Sequence, residues 1–118
     1  MTTRSLTGKN LTAVDLQILL TLANAPLHGY GIKLDVAERT RGEMKLGSGT
    51  LYEAIQRLEQ RAFIAQAPPP QGEEADARRR YYRLESAGER ALRAELERMA
   101  TVVRHGQLLD LLPRRGEL

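Results

Sequence analysis

The sequence predicts a mainly α fold carrying one small β-hairpin, in the order helix, helix, helix, hairpin, helix. Three observations carry this. Apolar residues recur at helical spacing in four segments, two short β-prone runs flank a polar loop, and capping-box patterns mark helix starts. At 118 residues the chain is one domain by length, and with 42% hydrophobic and 28% charged residues it is globular.

The organisation expected is a flexible polar arm over 1–10, a compact unit over 11–85, a C-terminal helix over 86–112 and a tail over 113–118. The first helix opens at Thr12, whose hydroxyl forms a capping box with Asp15, while Leu11 and Leu16 are placed as a hydrophobic staple. Leu16, Leu19, Leu20 and Ala23 are its expected buried face, and Pro26 closes it. The second helix begins near Leu27-His28-Gly29-Tyr30-Gly31. Tyr30, Leu34 and Ala37 share one face, with Ile32 and Val36 alongside. His28 reads as a turn or cap residue, because no acid or nucleophile accompanies it. Met44 to Leu46 reads as a stub of strand.

The third helix opens at Gly47-Ser48-Gly49-Thr50. Ser48 as cap and Thr50 with Glu53 as capping box are alternative registers. Its apolar stripe is Leu51, Ala54, Ile55, Leu58 and Ala62, and Tyr52 falls at the stripe's border. Phe63 to Ala67 reads as a strand. Three prolines and a glycine follow, then a loop to Ala77 and a second strand from Arg78 to Leu84. Alternation places Tyr82 and Leu84 inward and Tyr81 outward. Ser86 and Glu89 form a capping box for the last helix, where Leu92, Leu96, Met99 and Val103 make a coiled-coil-like seam. Gly106 interrupts it, and Leu108, Leu109, Leu111 and Leu112 extend the apolar surface. The three helices and hairpin already close a core, so Leu92, Leu96, Met99, Val103, Leu108, Leu109 and Leu112 are the expected homodimer interface.

Composition excludes several chemistries. There is no cysteine, hence no disulfide, thiolate ligand or Cys nucleophile, which suits the reducing cytoplasm. His28 and His105 lie in no ligand-spaced motif, and Gly47-Ser48-Gly49-Thr50 lacks the Lys-Ser/Thr ending of a phosphate loop. No metal, cofactor or catalytic constellation is expected, so an enzyme is not. No apolar run approaches a membrane span, and the first residues lack a signal-peptide core.

Three helices followed by a hairpin is the order of a winged helix-turn-helix. There the second helix of the pair, here 48 to about 61, enters the DNA major groove. Lys45, Ser48, Thr50, Tyr52, Gln56 and Arg57 are candidate contacts on or just before it. Gln pairs adenine and Arg pairs guanine through two hydrogen bonds each, and Gly47 and Gly49 admit close backbone approach to phosphate. The net charge of +3 alone decides little, but Arg78, Arg79 and Arg80 concentrate cations at the second strand.

Several segments together resemble the PadR-like transcriptional regulators. Leu27-His28-Gly29-Tyr30-Gly31-Ile32 is similar to the start of their second helix. Gly49-Thr50-Leu51-Tyr52 with Arg57-Leu58-Glu59 is similar to their recognition helix, and Arg80-Tyr81-Tyr82-Arg83-Leu84 with Gly88 to their second wing strand and the turn beyond it. The resemblance covers roughly residues 12 to 96. It implies a cytoplasmic winged-helix repressor that binds a double-stranded operator as a homodimer through its last helix, of the type with a single C-terminal helix. It leaves the effector unspecified. All five aromatics, Tyr30, Tyr52, Phe63, Tyr81 and Tyr82, lie in the winged-helix body and none in the last helix, which argues against an aromatic-lined effector site there. Two features depart from the family. The wing loop Gly72 to Asp76 is acidic, a poor phosphate contact, and the tail from Gln107 falls outside the resemblance. The acidic loop keeps open an alternative, a winged helix that binds a protein partner and no DNA.

Overall fold

In this computed structural model residues 11–70 and 79–114 are described. The expected arm over 1–10, the acidic loop with Arg78 and the last four residues lie outside them. The elements are α1 (Ala13–Asn24), β1 (Leu27–His28), α2 (Gly29–Arg39), α3 (Ser48–Gln60), β2 (Ile64–Ala67), β3 (Tyr81–Leu84) and α4 (Ser86–Leu108). The three strands form an antiparallel sheet in the order β1-β3-β2. The wing is therefore a hairpin with a third, two-residue strand donated from just before α2, pairing Leu27 with Tyr82 and His28 with Tyr81. A strand of two residues leaves no periodicity in the sequence.

Helix α1 sits at the centre, against α2, α3, α4 and β3. It begins with the expected capping box: the Thr12 hydroxyl accepts from the Asp15 N–H at 3.0 Å, and Asp15 Oδ2 accepts from the Thr12 N–H at 3.4 Å. Being covered on several sides, it buries Ile18 and Leu22 with Leu16 and Leu19, while Ala23 is exposed rather than inward. The core continues through Ile32 and Val36 of α2, Leu46, then Leu51, Ala54, Ile55 and Leu58 of α3, Ile64, Tyr82 and Leu92. In α2 the inward pair is Ile32 and Val36. Tyr30 and Leu34, expected to share a packed face, are half exposed.

Several other expectations are corrected. Met44 to Leu46 forms no strand; it is a lead-in whose Leu46 is buried in the core. Gly47, not Ser48, is the N-cap of α3, without a side-chain bond, and Ser48 is its first residue. Ala62 lies beyond α3 in the left-handed region at φ 60°, so it leaves the stripe. Tyr81 is buried rather than outward: its ring meets His28 edge-on, 5.2 Å between centroids, because β1 covers that flank of β3. Glu85 caps α4 by backbone alone, so the Ser86 capping box is absent, and the helix runs through Gly106 without interruption.

A polar cluster joins α1 to α2. Arg39 donates to Gln17 Oε1 at 2.7 Å, to the Gln17 carbonyl at 2.8 Å and to Asp35 Oδ2 at 2.8 Å, and the Thr21 hydroxyl also donates to Asp35 at 2.7 Å. The Arg39 hydrogen bond, then that of Thr21, holds the Asp35 carboxyl below its ordinary 3.8. A depressed carboxyl stabilises the fold above its unfolded value and loses that contribution as pH falls through the folded one. This tie therefore persists through neutral and mildly acidic conditions.

The wing meets α4 at Gly88. A Cβ there would stand 2.2 Å from the Phe63 carbonyl oxygen, and the same oxygen accepts from the Glu85 N–H at 2.9 Å. Only glycine permits this approach of helix to strand entry. Gly88→Ala should lower stability in chemical denaturation by about 2 kcal/mol, the range of overpacking against a fixed neighbour. Ser86→Ala, which removes no cap bond, should change it by less than about 0.5 kcal/mol.

Candidate nucleic-acid interface

Helix α3 follows α2 after a short turn and presents a face opposite Leu51, Ala54, Ile55 and Leu58. By helical phase, Gly49, Glu53, Gln56 and Gln60 occupy the centre of that face, and all are exposed. Lys45, Ser48 and Thr50 are exposed on the lead-in and first turn. A Cβ at Gly47 or Gly49 would meet nothing within 4 Å among the described residues, so packing against them demands glycine at neither. What the two glycines leave is unobstructed backbone at the outer end of the helix.

Two of the six expected contacts on or beside α3 point elsewhere. The Arg57 guanidinium turns toward α1 and donates to Asp15 Oδ1 at 2.6 Å. The Asp15 side chain is 2% exposed and that of Arg57 45%, so the contact fastens α3 to the centre of the domain. Tyr52 leans the other way, across the start of α2. A Cβ on Gly29 would stand 2.4 Å from its hydroxyl oxygen, so the phenol occupies the space that glycine leaves.

On the wing, Arg79 and Arg80 are exposed immediately before β3. The structure brings them beside Tyr52 and the start of α2, around one cleft. Burial raises the Tyr82 phenol above its ordinary value, with Glu59 adding to the effect, so this tyrosine at the back of the cleft is neutral. His28 is the N-cap of α2, as its position suggested: Nδ1 accepts from the Gly31 N–H at 3.0 Å. Its Nε2 lies 2.9 Å from Arg79 Nη1. His28, expected only as a turn or cap residue, and Tyr30, expected on a packed face, both line this cleft. The glycines flanking Tyr30 were the available signal. Nothing local showed that β1 would bring the wing to that point.

At the other end of the chain, Leu92 packs into the protomer's own core at 4% exposure, which removes it from the expected interface. Leu96, Met99, Val103, Leu108, Leu109 and Leu112 stay exposed in this chain, and so does Val102, at 71%.

Arg57→Ala should cost about 2 kcal/mol of stability, because it strips a charged hydrogen bond from a buried carboxylate. Arg57→Lys should recover part of it. Unchanged denaturation midpoints in both variants would show that Arg57 does not serve the fold.

The comparisons with known proteins agree with this geometry. The family model described as the transcriptional regulator PadR-like family matches residues 18–94. A curated relative, an uncharacterized 37.1 kDa protein in a transposon of Streptomyces fradiae, is 36% identical over 83 residues; these are 70% of this chain but 22% of that protein, so the chain spans only a fraction of its length. Among solved structures, a PadR family transcription regulator from Clostridium difficile superposes with a TM-score of 0.67 at 24% identity, covering 83% of this chain and 98% of that one. Bacillus subtilis PadR, solved in complex with operator DNA, superposes at 0.60 and 22% identity, covering 72% of this chain and 47% of that one. With four helices, a three-stranded antiparallel wing and a family match spanning α1 to α4, the chain belongs to the PadR-like family of transcriptional regulators.

Proposed function

We propose that the chain is a sequence-specific DNA-binding regulator, a cytoplasmic repressor that occupies an inverted-repeat operator as a homodimer. The observation that carries this reading is the face of α3. It is fixed from behind by the Arg57–Asp15 pair, offers Gln56 at its centre, and is flanked by exposed Lys45, Arg79 and Arg80. Family membership and a relative solved with operator DNA support it. Ser48 and Thr50, at the first turn, are in position for backbone phosphates, and Gln56 for a base edge. Arg78 belongs to the proposed basic segment but lies outside the described residues.

The dimer reading rests on the C-terminal half of α4. Leu96, Met99 and Val103 continue the seam that Leu92 begins, with Leu108, Leu109 and Leu112 beyond, and all six are exposed among the described residues. A groove of about 340 Å³ between α1, β3 and α4, lined by Leu20, Ala23, Leu84, Leu92 and Leu96 with the charged Glu89 and Arg93, is where an effector with an apolar body and a polar edge would bind.

Binding to DNA recovered with the protein from the cell should be tight and steeply salt-dependent. Gln56→Ala should cut the preference for that DNA over a scrambled duplex by about tenfold and leave affinity for the scrambled duplex intact. Replacing Arg79 and Arg80 together with Ala should weaken both duplexes alike and lower the salt slope by roughly 2. The opposite pattern would invert the assigned roles. No binding to any duplex, alongside a stable protein partner, would favour the interaction-module alternative.

Light scattering should give twice the chain mass at micromolar concentration. Leu96→Asp should yield a folded monomer that has lost most of its operator affinity, because one half-site alone binds weakly. A wild-type monomer at high micromolar concentration would refute the dimer.

A further inference from the structure

The family match ends at residue 94, and the chain at the end of α4 has an order of its own. The Leu111 N–H donates to the Gly106 carbonyl at 2.9 Å and the Asp110 N–H to that of Gln107 at 3.0 Å, with Asp110 at φ 61°. This is a Schellman turn, which reverses the chain at a helix end. The Gln107 side-chain amide then donates to the Pro113 carbonyl at 2.9 Å. The result is a hydrogen-bonded hook that displays Leu108, Leu109 and Leu111, between 57 and 77% exposed. In such turns the apolar residue after the left-handed one packs back on the helix. Here that residue is Leu111, and the helix position it would meet is Gly106, which has no side chain.

The α4 seam fixes where the hook goes. Leu92, Leu96, Met99, Val103 and Gly106 follow one another at alternating spacings of four and three. In an antiparallel twofold pair centred on this seam, Met99 meets the partner's Val103, and Gly106 meets the partner's Leu96. A Cβ at Gly106 would meet nothing within 4 Å among the described residues, so a leucine fits there. The same register brings the partner's residues 109–112 opposite Leu92. Leu92 lines the groove between α1, β3 and α4, beside Leu20, Ala23 and Leu84. A parallel pair would instead set the two hooks against each other and leave both grooves open. The area favours the antiparallel pair. Leu96, Met99 and Val103 are only 39 to 43% exposed, and three such side chains fall far short of the roughly 800 Å² per partner that a stable interface buries. The leucines of the hook, set into an apolar groove, add what the seam lacks.

We propose that the hook of each protomer plugs the α1–α4 groove of a second copy of this chain, so that an effector enters only by displacing Leu109 and Leu111. Displacement frees the end of α4 and loosens the tie between the two α3 faces. Ligand entry and operator affinity then oppose each other. The proposal rests on the homodimer reading, and its test separates the two.

The chain has no cysteine, so single introduced thiols report contacts without background. Ala23→Cys in the groove and Leu111→Cys on the hook both replace exposed residues. Mixed and treated with a short bismaleimide, the two variants should give a covalent dimer, and neither should do so alone. No cross-link in a mixture that light scattering shows to be dimeric would overturn the plug and leave the dimer standing. Leu111→Cys linking to itself would show the parallel pair and overturn it as well. A monomer would overturn both readings. Anilinonaphthalene sulfonate, with an apolar body and an anionic edge, probes the groove itself. It should bind the Leu109→Ser, Leu111→Ser double variant about fivefold tighter than the wild type, because a plugged site binds in proportion to the fraction left open. Adding Ala23→Arg to the double variant should abolish that gain. Equal affinity for wild type and double variant, or a gain that survives Ala23→Arg, would refute the plug.

Discussion

One buried carboxylate organises the molecule. Asp15 is 1% exposed, and it both closes the first turn of α1 and receives the Arg57 guanidinium of α3. A charge taken out of water is tolerated only when its oxygens are satisfied. Here one oxygen serves the backbone of α1 and the other the side chain of α3. The start of the central helix and the attitude of the helix with the polar face are thereby set by the same group. Around this point the packing is aliphatic: Ile18, Leu19, Ile32, Ile55 and Leu58 are essentially inaccessible to water. The second polar tie, Arg39 with Gln17, Thr21 and Asp35, fixes α2 on the other flank of α1.

The wing is held by two different devices. On one side β1 adds a strand to β3 and places His28 between the start of α2 and the base of the wing. On the other, Gly88 lets α4 approach the Phe63 carbonyl to within a distance no side chain would allow. The sheet is thus connected at one edge to the helical pair and at its exit to α4. In a proposed dimer joined through α4, this chain of contacts would relate the two α3 faces rigidly, and their separation would set the half-site spacing.

Much of this was legible in the residues. The capping box at Thr12 and Asp15 was visible because its two partners are three residues apart, and the stripe of Leu51, Ala54, Ile55 and Leu58 because its period is helical. What escaped depends on distant parts of the chain. Ile18 and Leu22 are buried because α1 is surrounded, and a one-sided helix pattern cannot show that. Tyr81 is buried because a two-residue strand, 53 positions earlier at His28, covers it. Arg57 looked like a guanine reader because its partner Asp15 lies 42 residues away. Leu92 fits the seam of an external interface but falls where α4 still lies on α1 and β3. The cap expected at Ser86, and both alternatives for α3 at Ser48 and at Thr50, are absent for a local reason: each helix starts sooner, on Gly47 and Glu85, so the hydroxyls are already inside it.

The proposed interface makes a geometric demand stronger than any single contact. If two α3 helices enter successive major grooves on one face of a duplex, protection must recur with the helical repeat. Hydroxyl-radical footprinting of the wild-type chain on its cellular target tests this most directly. Two protected windows are expected on the same face of the DNA, with centres about 34 Å apart. A single window, or uniform protection along the duplex, would contradict it.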